Sequence, residues 1–433
     1  MVQIRTADRI GTHDVIVCGG GPAGIVAALA AARNGADTAI IEQYGFFGGT
    51  ASGCLVNPIS KFKKNGTQVV GGIAWEFVEN MAKHGGALLD YPNGNVPFDP
   101  EIYKWVAQKM LGDAHVHMYL HSTAVDCEMD GHGAIKTLVI HSKAGFRTLN
   151  AGCFVDATGD ALLARLTNIP MQEYDVSSLQ PASLCFIIDG IEPQLPEPVH
   201  PRLDDTRYYN KRLHDLLEHL KSEGGEVPNF GGPWFCSIVS GTALSVNITR
   251  GAIDPFDIES LTKGECDLRN DMHRLVELLK ANSPEFRHSR IVQSGIQAGI
   301  RESQRIRGVH VLTGEEYVKG KAFFDTIALG AHPVDIHRSR DAGQDVQFLN
   351  TCGKVPYRSL VSAECSNLIV AGRCISADRY ASASIRVQAT AMATGEAAGT
   401  SASLCVAHNK AVHDVDVRQL QMVLKHHKAI LEM

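Results

Sequence analysis

The chain has 433 residues, 44% of them hydrophobic and 20% charged, with a formal net charge of −6. That composition fits a globular protein too long for one ordinary core, so two intimately connected domains are expected. It offers no electrostatic case for nucleic acid or an anionic membrane as partner. The longest uncharged small-apolar run, Gly24 to Ala32, is far short of the ~20 residues of a membrane span.

The opening stretch MVQIRTADRIGTHD lacks the apolar segment of a signal peptide, and a cytoplasmic location is expected. Eleven cysteines are scattered without CxxC or CxxxxC spacing, as for reduced thiols. Their dispersal argues against a dithiol–disulfide reductase and against an iron–sulfur cluster. His115, His117 and His121 alternate as in a strand and read as solvated side chains, so no metal site is assigned.

Residues 13–42 carry the most information. The β-branched run Val15-Ile16-Val17 meets Gly19-x-Gly21-x-x-Gly24, an Ala-rich helical stretch follows, and a second apolar run, Thr38-Ala39-Ile40-Ile41, ends in Glu42. This is a βαβ unit with a dinucleotide-binding turn. Gly19 permits the tight turn, Gly21 lets the backbone approach a pyrophosphate, and Gly24 lets the helix sit close to the strand. Pro22 and Ala23 open the helix, whose free N–H groups favour phosphates. Glu42 is placed to accept hydrogen bonds from the adenosine ribose.

The motif alone does not choose between NAD and FAD. After Glu42 and Gln43 the chain enters Gly48-Gly49-Thr50-Ala51-Ser52 rather than another helix, a flat backbone suited to lie against a ribityl chain and flavin ring. The βαβ unit with this loop resembles the FAD-dependent oxidoreductases whose FAD domain is like that of p-hydroxybenzoate hydroxylase and fumarate reductase.

Residues 71–84 and 99–111 have helical apolar spacing, the second started by Asp99-Pro100. Residues 115–120, 123–129, 134–141 and 146–150 alternate like strands of a meander, with Asp130-Gly131 as a hairpin turn. The segment 152–160, GCFVDATGD, reads as a buried strand ending in a turn. From about 181 to 350 the glycine fingerprints stop. A Pro-rich stretch at 191–201, amphipathic helices near 206–222 and 257–281, and a strand at Leu244–Ile248 suggest a substrate module. Asn367–Arg373 is a strand delivering its end to a turn. Residues 380–404 read as a long helix of small residues, starting near Ile385–Val387 and aiming N–H groups at the flavin N1–C2=O edge.

The resemblance then covers nearly the whole chain, through GGGPAG, GGTAS, VDATGD, GIRESQRIRG (299–308), AHPVDIH (331–337), VPYRSL (355–360) and AGRCISADRYASASIRVQATAMATGEAAGT. Together these are similar to the FAD-dependent oxidoreductases allied to the fumarate reductase and glutathione-reductase-2 flavoproteins. The resemblance implies an α/β fold: an FAD-binding Rossmann-like domain from 1–60, 112–180 and 351–433, with an α+β substrate domain from 61–111 and 181–350. It further implies FAD contacts from Ala124 and Val125, from Ala157, Thr158 and Gly159, and from Gly372, Arg373, Ile385, Arg386 and Gln388. Arg373 departs from the family habit, because many relatives carry a Gly-Asp pair there that holds a ribityl hydroxyl.

No second glycine-rich βαβ unit follows residue 60, so a separate NAD(P)H domain is not expected. The expected activity is hydride transfer between a small organic substrate and flavin N5, with the electron partner unassigned and a homo-oligomer left open. A flavin monooxygenase using transiently bound NAD(P)H and a non-catalytic FAD-binding redox sensor are the alternatives. Arg301 and Arg305, with Arg307 nearby, are candidates to fix an anionic substrate, and His332 and His337 to move a proton. Each has a plainer reading: Arg301, Glu302 and Arg305 also fit a helix-surface ion-pair group, and His332 an ordered loop residue before Pro333. Cys54 is either a flavin-facing thiol or a small core residue, the latter being commoner.

Overall fold

The β-branched run of the first strand, Arg9–Cys18, is wholly buried, because parallel neighbours flank it on both sides. A computed structural model describes residues 7–90, 93–192, 208–239, 242–338 and 343–433. Its main sheet has seven strands. From one edge run His117–Tyr119, Thr38–Ile41, Arg9–Cys18 and Gly145–Asp156, all parallel. Gly145–Asp156 is then shared. Its first half pairs antiparallel with Ile135–Ser142, and its last residues pair parallel with Leu368–Val370. Thr123–Met129 closes that edge as a hairpin partner of Ile135–Ser142.

Two strand expectations are corrected here. The runs 146–150 and 152–156 are one continuous strand, which changes partner halfway along. The 115–120 segment does not belong to the meander. Its strand, His117–Tyr119, lies at the far edge beside Thr38–Ile41, and His115 and His121 have positive φ outside it.

The small-residue composition of 388–408 has a steric cause. This helix, Gln388–His408, packs along the first helix, Pro22–Arg33, with their backbones almost touching. A Cβ on Gly395 would lie 2.1 Å from the Ala23 carbonyl oxygen, and one on Gly399 2.0 Å from that of Ala27. Only glycine fits at such a crossing. The 380–404 stretch is not one helix, however. A shorter helix, Arg379–Ile385, capped by Asp378, ends at Arg386, and the long helix restarts at Gln388.

A second sheet of five strands holds Phe186–Asp189, Phe230–Ser237, Leu244–Thr249 and Arg290–Ser294, with Tyr208–Tyr209 at its edge. Helices Lys211–Ser222 and Ile258–Asn282 contribute Leu213, Leu217, Leu268, Met272 and Leu275 to its separate core. The Pro-rich residues from 193 to 201 lie outside the described residues. The helices Gly72–Lys83 and Pro100–Asp113 do not join this second core. Phe77, Met81, Tyr103 and Leu111 are buried in the core of the main sheet, so packing groups 61–111 with the main sheet rather than with the second one. Among the described residues no helix is long and apolar enough to cross a membrane.

Candidate active site

Four strand ends converge where the parallel strands finish. Ala157 N donates to Cys18 O at 2.8 Å, and Ala371 N donates to Asp156 O at 2.9 Å, so the turns at Gly19, Ala157–Gly159 and Gly372 are stitched side by side. Around them lies a cavity of about 500 Å³, at the carboxyl ends of the strands, where open α/β sheets bind ligands. Asp156 anchors its turn from below. Its wholly buried carboxylate accepts from Thr158 N and Oγ1 and from Ala164 N, at 3.1, 2.7 and 3.0 Å. Burial pushes its pKa up, against those hydrogen bonds.

Two helices aim uncapped N-termini at this cavity. Pro22–Arg33 and Gln388–His408 have no side-chain cap and no acid in the first turn, and Gly21, Pro22, Ala23, Val387, Gln388 and Ala391 line the wall. Six other described helices are capped by Asp99, Asn210, Asp257, Thr313, Asp378 and Asp416, while Gly72–Lys83 and Leu162–Leu166 also lack a side-chain cap. Bare N-terminal amides at one cavity make an anion-binding pair. Gly21 gives an independent test of fit. A Cβ there would meet only Gly49 Cα, at 3.9 Å, so no protein packing demands glycine, and the space it leaves is cavity.

Of the residues singled out in the sequence, Gly19, Gly21, Pro22, Ala23, Glu42, Gln43, Gly49, Thr50, Ala124, Ala157, Thr158, Gly159, Gly372, Arg373, Arg386 and Gln388 line the cavity. Gly24, Gly48, Val125 and Ile385 do not. Gly24 works one step back, because a Cβ on it would sit 1.8 Å from the Gly19 carbonyl oxygen. Gly48 ties the loop to the turn through its N–H to Gly20 O at 2.8 Å. Val125 is exposed on its strand and Ile385 is buried in the Arg379–Ile385 helix. Arg373 is ion-paired to Asp160 at 2.7 Å and donates to Ser303 Oγ at 2.6 Å. Glu42 accepts from Gly20 N at 2.7 Å and Tyr44 N at 2.9 Å, locking the post-strand loop to the glycine turn.

The opposite wall carries titratable groups. Arg301, His332, Asp335, His337 and Arg386 share it with Ser60, Ser183 and Asn247. Asp335 lies between the two imidazoles, with His337 Nε2 at 3.2 Å and His332 Nε2 at 3.9 Å from its Oδ2. Burial alone would raise the Asp335 pKa, but its contacts with His332 and His337 and the Arg386 charge hold it well below the usual carboxylate range. Burial and then the Arg301 charge push His337 well below an ordinary imidazole, and burial also lowers His332. Both imidazoles are thereby neutral at pH 7. The Arg301 guanidinium donates to the Pro181 carbonyl. Burial, with Arg250 and Arg386 nearby, depresses it strongly, so an entering anion would meet a cation short of compensation.

Arg305 is corrected. It is buried away from the cavity, with Nε donating to Ala377 O at 3.0 Å and its guanidinium 3.5 Å from Glu302. The segment 300–305 is neither helix nor strand, and Arg301 and Arg305 are both buried in it, so neither arginine belongs to a helix surface. Cys54 does line the cavity, but burial drives its thiol pKa up to about 12, leaving it protonated and a poor nucleophile. Sequence reasoning missed Asp335, although the signal was present: in the extended Val334–His337 strand, Asp335 and His337 are two apart and share a face. Ser60, whose Oγ is 2.7 Å from His332 Nδ1, had no such signal.

Comparison with known proteins adds a family model described as FAD dependent oxidoreductase, which matches residues 14–424. No match is found among curated proteins. Among solved structures the chain is similar to a geranylgeranyl bacteriochlorophyll reductase-like protein from Thermoplasma acidophilum, at 14% identity over 97% of this chain and 84% of that one, TM-score 0.48. It is also similar to a flavin-dependent brominase, at 14% identity over 96% and 83%, TM-score 0.47. A flavoprotein/dehydrogenase from Cytophaga hutchinsonii matches at 13% identity over 96% and 84%, TM-score 0.47.

Proposed function

The chain belongs to the FAD dependent oxidoreductase family, and on that premise we propose that it transfers a hydride between a small anionic or carbonyl-bearing organic substrate and its FAD. The bound flavin supplies a two-electron acceptor or donor. The observation that carries the reading is the wall Arg301–His332–Asp335–His337–Arg386, which faces the same cavity as the two bare helix ends.

The roles follow from the geometry. The Gly19–Gly24 turn and the N-terminus of Pro22–Arg33 would hold the pyrophosphate, and Glu42 the ribose hydroxyls. The N-terminus of Gln388–His408 would stabilise charge gathered on the reduced ring. Arg301 would bind the substrate oxygen and exclude water from it. A neutral imidazole of His337 or His332 would take or return the proton that accompanies hydride transfer, oriented by Asp335. Domain boundaries in this reading are 1–180 with 306–433 for the nucleotide-binding half and 181–305 for the substrate module, following the packing of 61–111 and of Ile306, Leu312, Tyr317, Ile327 and Leu349 in the main core.

The discriminating experiment is anaerobic mixing of the yellow protein with a panel of small hydroxy acids, amines and activated alkenes, following the flavin band. Bleaching by an organic substrate, or re-oxidation of the reduced enzyme by an alkene, is expected without nicotinamide. Reduction only by NAD(P)H, with oxygen then required for product, would replace the reading by a monooxygenase. No redox response to any compound would favour a sensor.

Glu42 has two jobs, since both carboxylate oxygens already take backbone N–H groups yet keep lone pairs for a ribose hydroxyl. Glu42→Ala is expected to weaken FAD binding by about 1–3 kcal/mol, the usual range for hydrogen bonds lost to a charged acceptor. Turnover at saturating FAD should survive. Fluorescence titration of apoprotein with FAD measures the change, and an unaltered dissociation constant would remove Glu42 from the ribose site.

A further inference from the structure

At the other end of the main sheet, away from the cofactor cavity, three adjacent strands bring together side chains that the oxidoreductase reading does not use. His13 sits in the first half of Arg9–Cys18, Asp37 immediately precedes Thr38–Ile41, and His117 opens His117–Tyr119. Asp37 Oδ2 is 3.0 Å from His13 Nδ1, and Asp37 Oδ1 is 3.3 Å from His117 Nε2. One ligand atom from each of the three residues lies within 4.8 Å of the other two. We propose that His13, Asp37 and His117 bind a divalent transition ion, zinc foremost, as a three-ligand site with an open fourth position.

The spacing suits that ion. Metal–ligand bonds of about 2.0–2.1 Å in a tetrahedron put neighbouring ligand atoms roughly 3.3 Å apart, close to the 3.0 and 3.3 Å that separate the Asp37 oxygens from the two histidine nitrogens. Two imidazoles and one carboxylate form a nitrogen–oxygen set that zinc accepts and that calcium or magnesium, which prefer all-oxygen shells, does not. The supporting contacts are those of a metal site as well. The second ring nitrogen of His13 lies 3.2 Å from Tyr119 Oη, which can accept from Nε2–H in the tautomer that presents Nδ1 to an ion. Asp37 is held by its backbone, its N–H donating to Asp14 Oδ2 at 2.9 Å while its carbonyl accepts from Asp14 N at 2.9 Å and Val15 N at 3.1 Å. His13 is buried, whereas Asp37 and His117 are about half exposed, so an ion can enter from solvent. The register that forms the sheet therefore also sets the ligand distances.

The test uses tag-free holoprotein, stripped with chelator and dialysed. Zinc is titrated in competition with a chromophoric chelator, and cobalt(II) is added separately to read its visible spectrum. One ion per chain is expected, with the intense visible bands of four-coordinate cobalt. His117→Ala, a surface change, should abolish that stoichiometric binding, and Tyr119→Phe should weaken it by about 10-fold or more. Flavin content and flavin reduction should be unchanged in both variants. Cys266, the exposed cysteine, is the obvious competing ligand, and Cys266→Ser should bind the ion as before. Absence of stoichiometric binding, or binding that survives both His117→Ala and Asp37→Asn, would overturn the proposal and leave the trio an ordinary histidine–carboxylate network.

Discussion

Gly21→Val should yield a folded protein that purifies colourless, whereas the unaltered chain carries non-covalent FAD in near-stoichiometric amount. The expectation rests on an asymmetry within one turn. A Cβ on Gly21 meets nothing nearer than Gly49 Cα at 3.9 Å, while a Cβ on Gly24 would lie 1.8 Å from the Gly19 carbonyl oxygen. A valine at position 21 therefore projects into cavity that the protein leaves open, in the space a pyrophosphate needs. An alanine at position 24 would instead push the first helix off the sheet. Gly21→Val should keep its far-ultraviolet spectrum and lose the cofactor; Gly24→Ala should lose thermal stability as well. Flavin-to-protein ratio and melting curves separate the two. Near-stoichiometric FAD in Gly21→Val protein would mean the phosphates lie elsewhere, and release of FMN from the unaltered protein would remove the adenosine side of the assignment.

The second large effect concerns the two histidines. Whichever of His332 and His337 carries the proton, its replacement by alanine should slow anaerobic flavin reduction by roughly 10²–10⁴, the usual contribution of a positioned general base, with FAD still bound. If both variants reduce at the unaltered rate, the base is not an imidazole of this wall.

The pH dependence supplies a second readout. Burial, then the Arg301 charge, holds His337 well below its ordinary value, and burial lowers His332. A neutral base therefore persists as pH falls through about 6.5, where an unperturbed histidine would protonate. The reduction rate should stay flat across that window. Stability behaves differently. Below about 6.5 the unfolded chain binds protons that the folded imidazoles refuse, so stability is fully present above that pH and declines as pH falls toward the folded values. His337→Ala should flatten this decline. A reduction rate that falls with an apparent pKa near 6.5 would show that the base is solvent-exposed in the working enzyme.

The nucleotide-binding half was legible because its signals are local. Val15–Val17, the glycine turn, the alanine-rich helix and Glu42 occupy one continuous stretch, and each glycine answers a backbone demand that a short window can express. The small-residue helix near the C-terminus was equally plain, since Gly395 and Gly399 mark a close crossing wherever the partner lies. The break at Arg386–Val387 was not legible. Arg379–Ile385 and Gln388–His408 both have helical composition, and the junction exists so that the second helix can begin at the cavity.

Tertiary structure alone decided which charged residues serve the site. Arg301 and Arg305 stand four apart in one motif, yet one faces the cavity and the other is committed to Glu302 and the Ala377 carbonyl, because the irregular, non-helical backbone at 300–305 turns them toward different neighbours. Asp335 gained its importance from lying between His332 and His337. Their mutual protonation balance depends on burial and on arginines contributed from distant segments. The His13–Asp37–His117 cluster was invisible for the same reason. Its three members are far apart in the chain, and only the register of three parallel strands makes them neighbours. Backbone shape is written locally in the sequence. Charge pairing is set by distances that exist only once the strands have met.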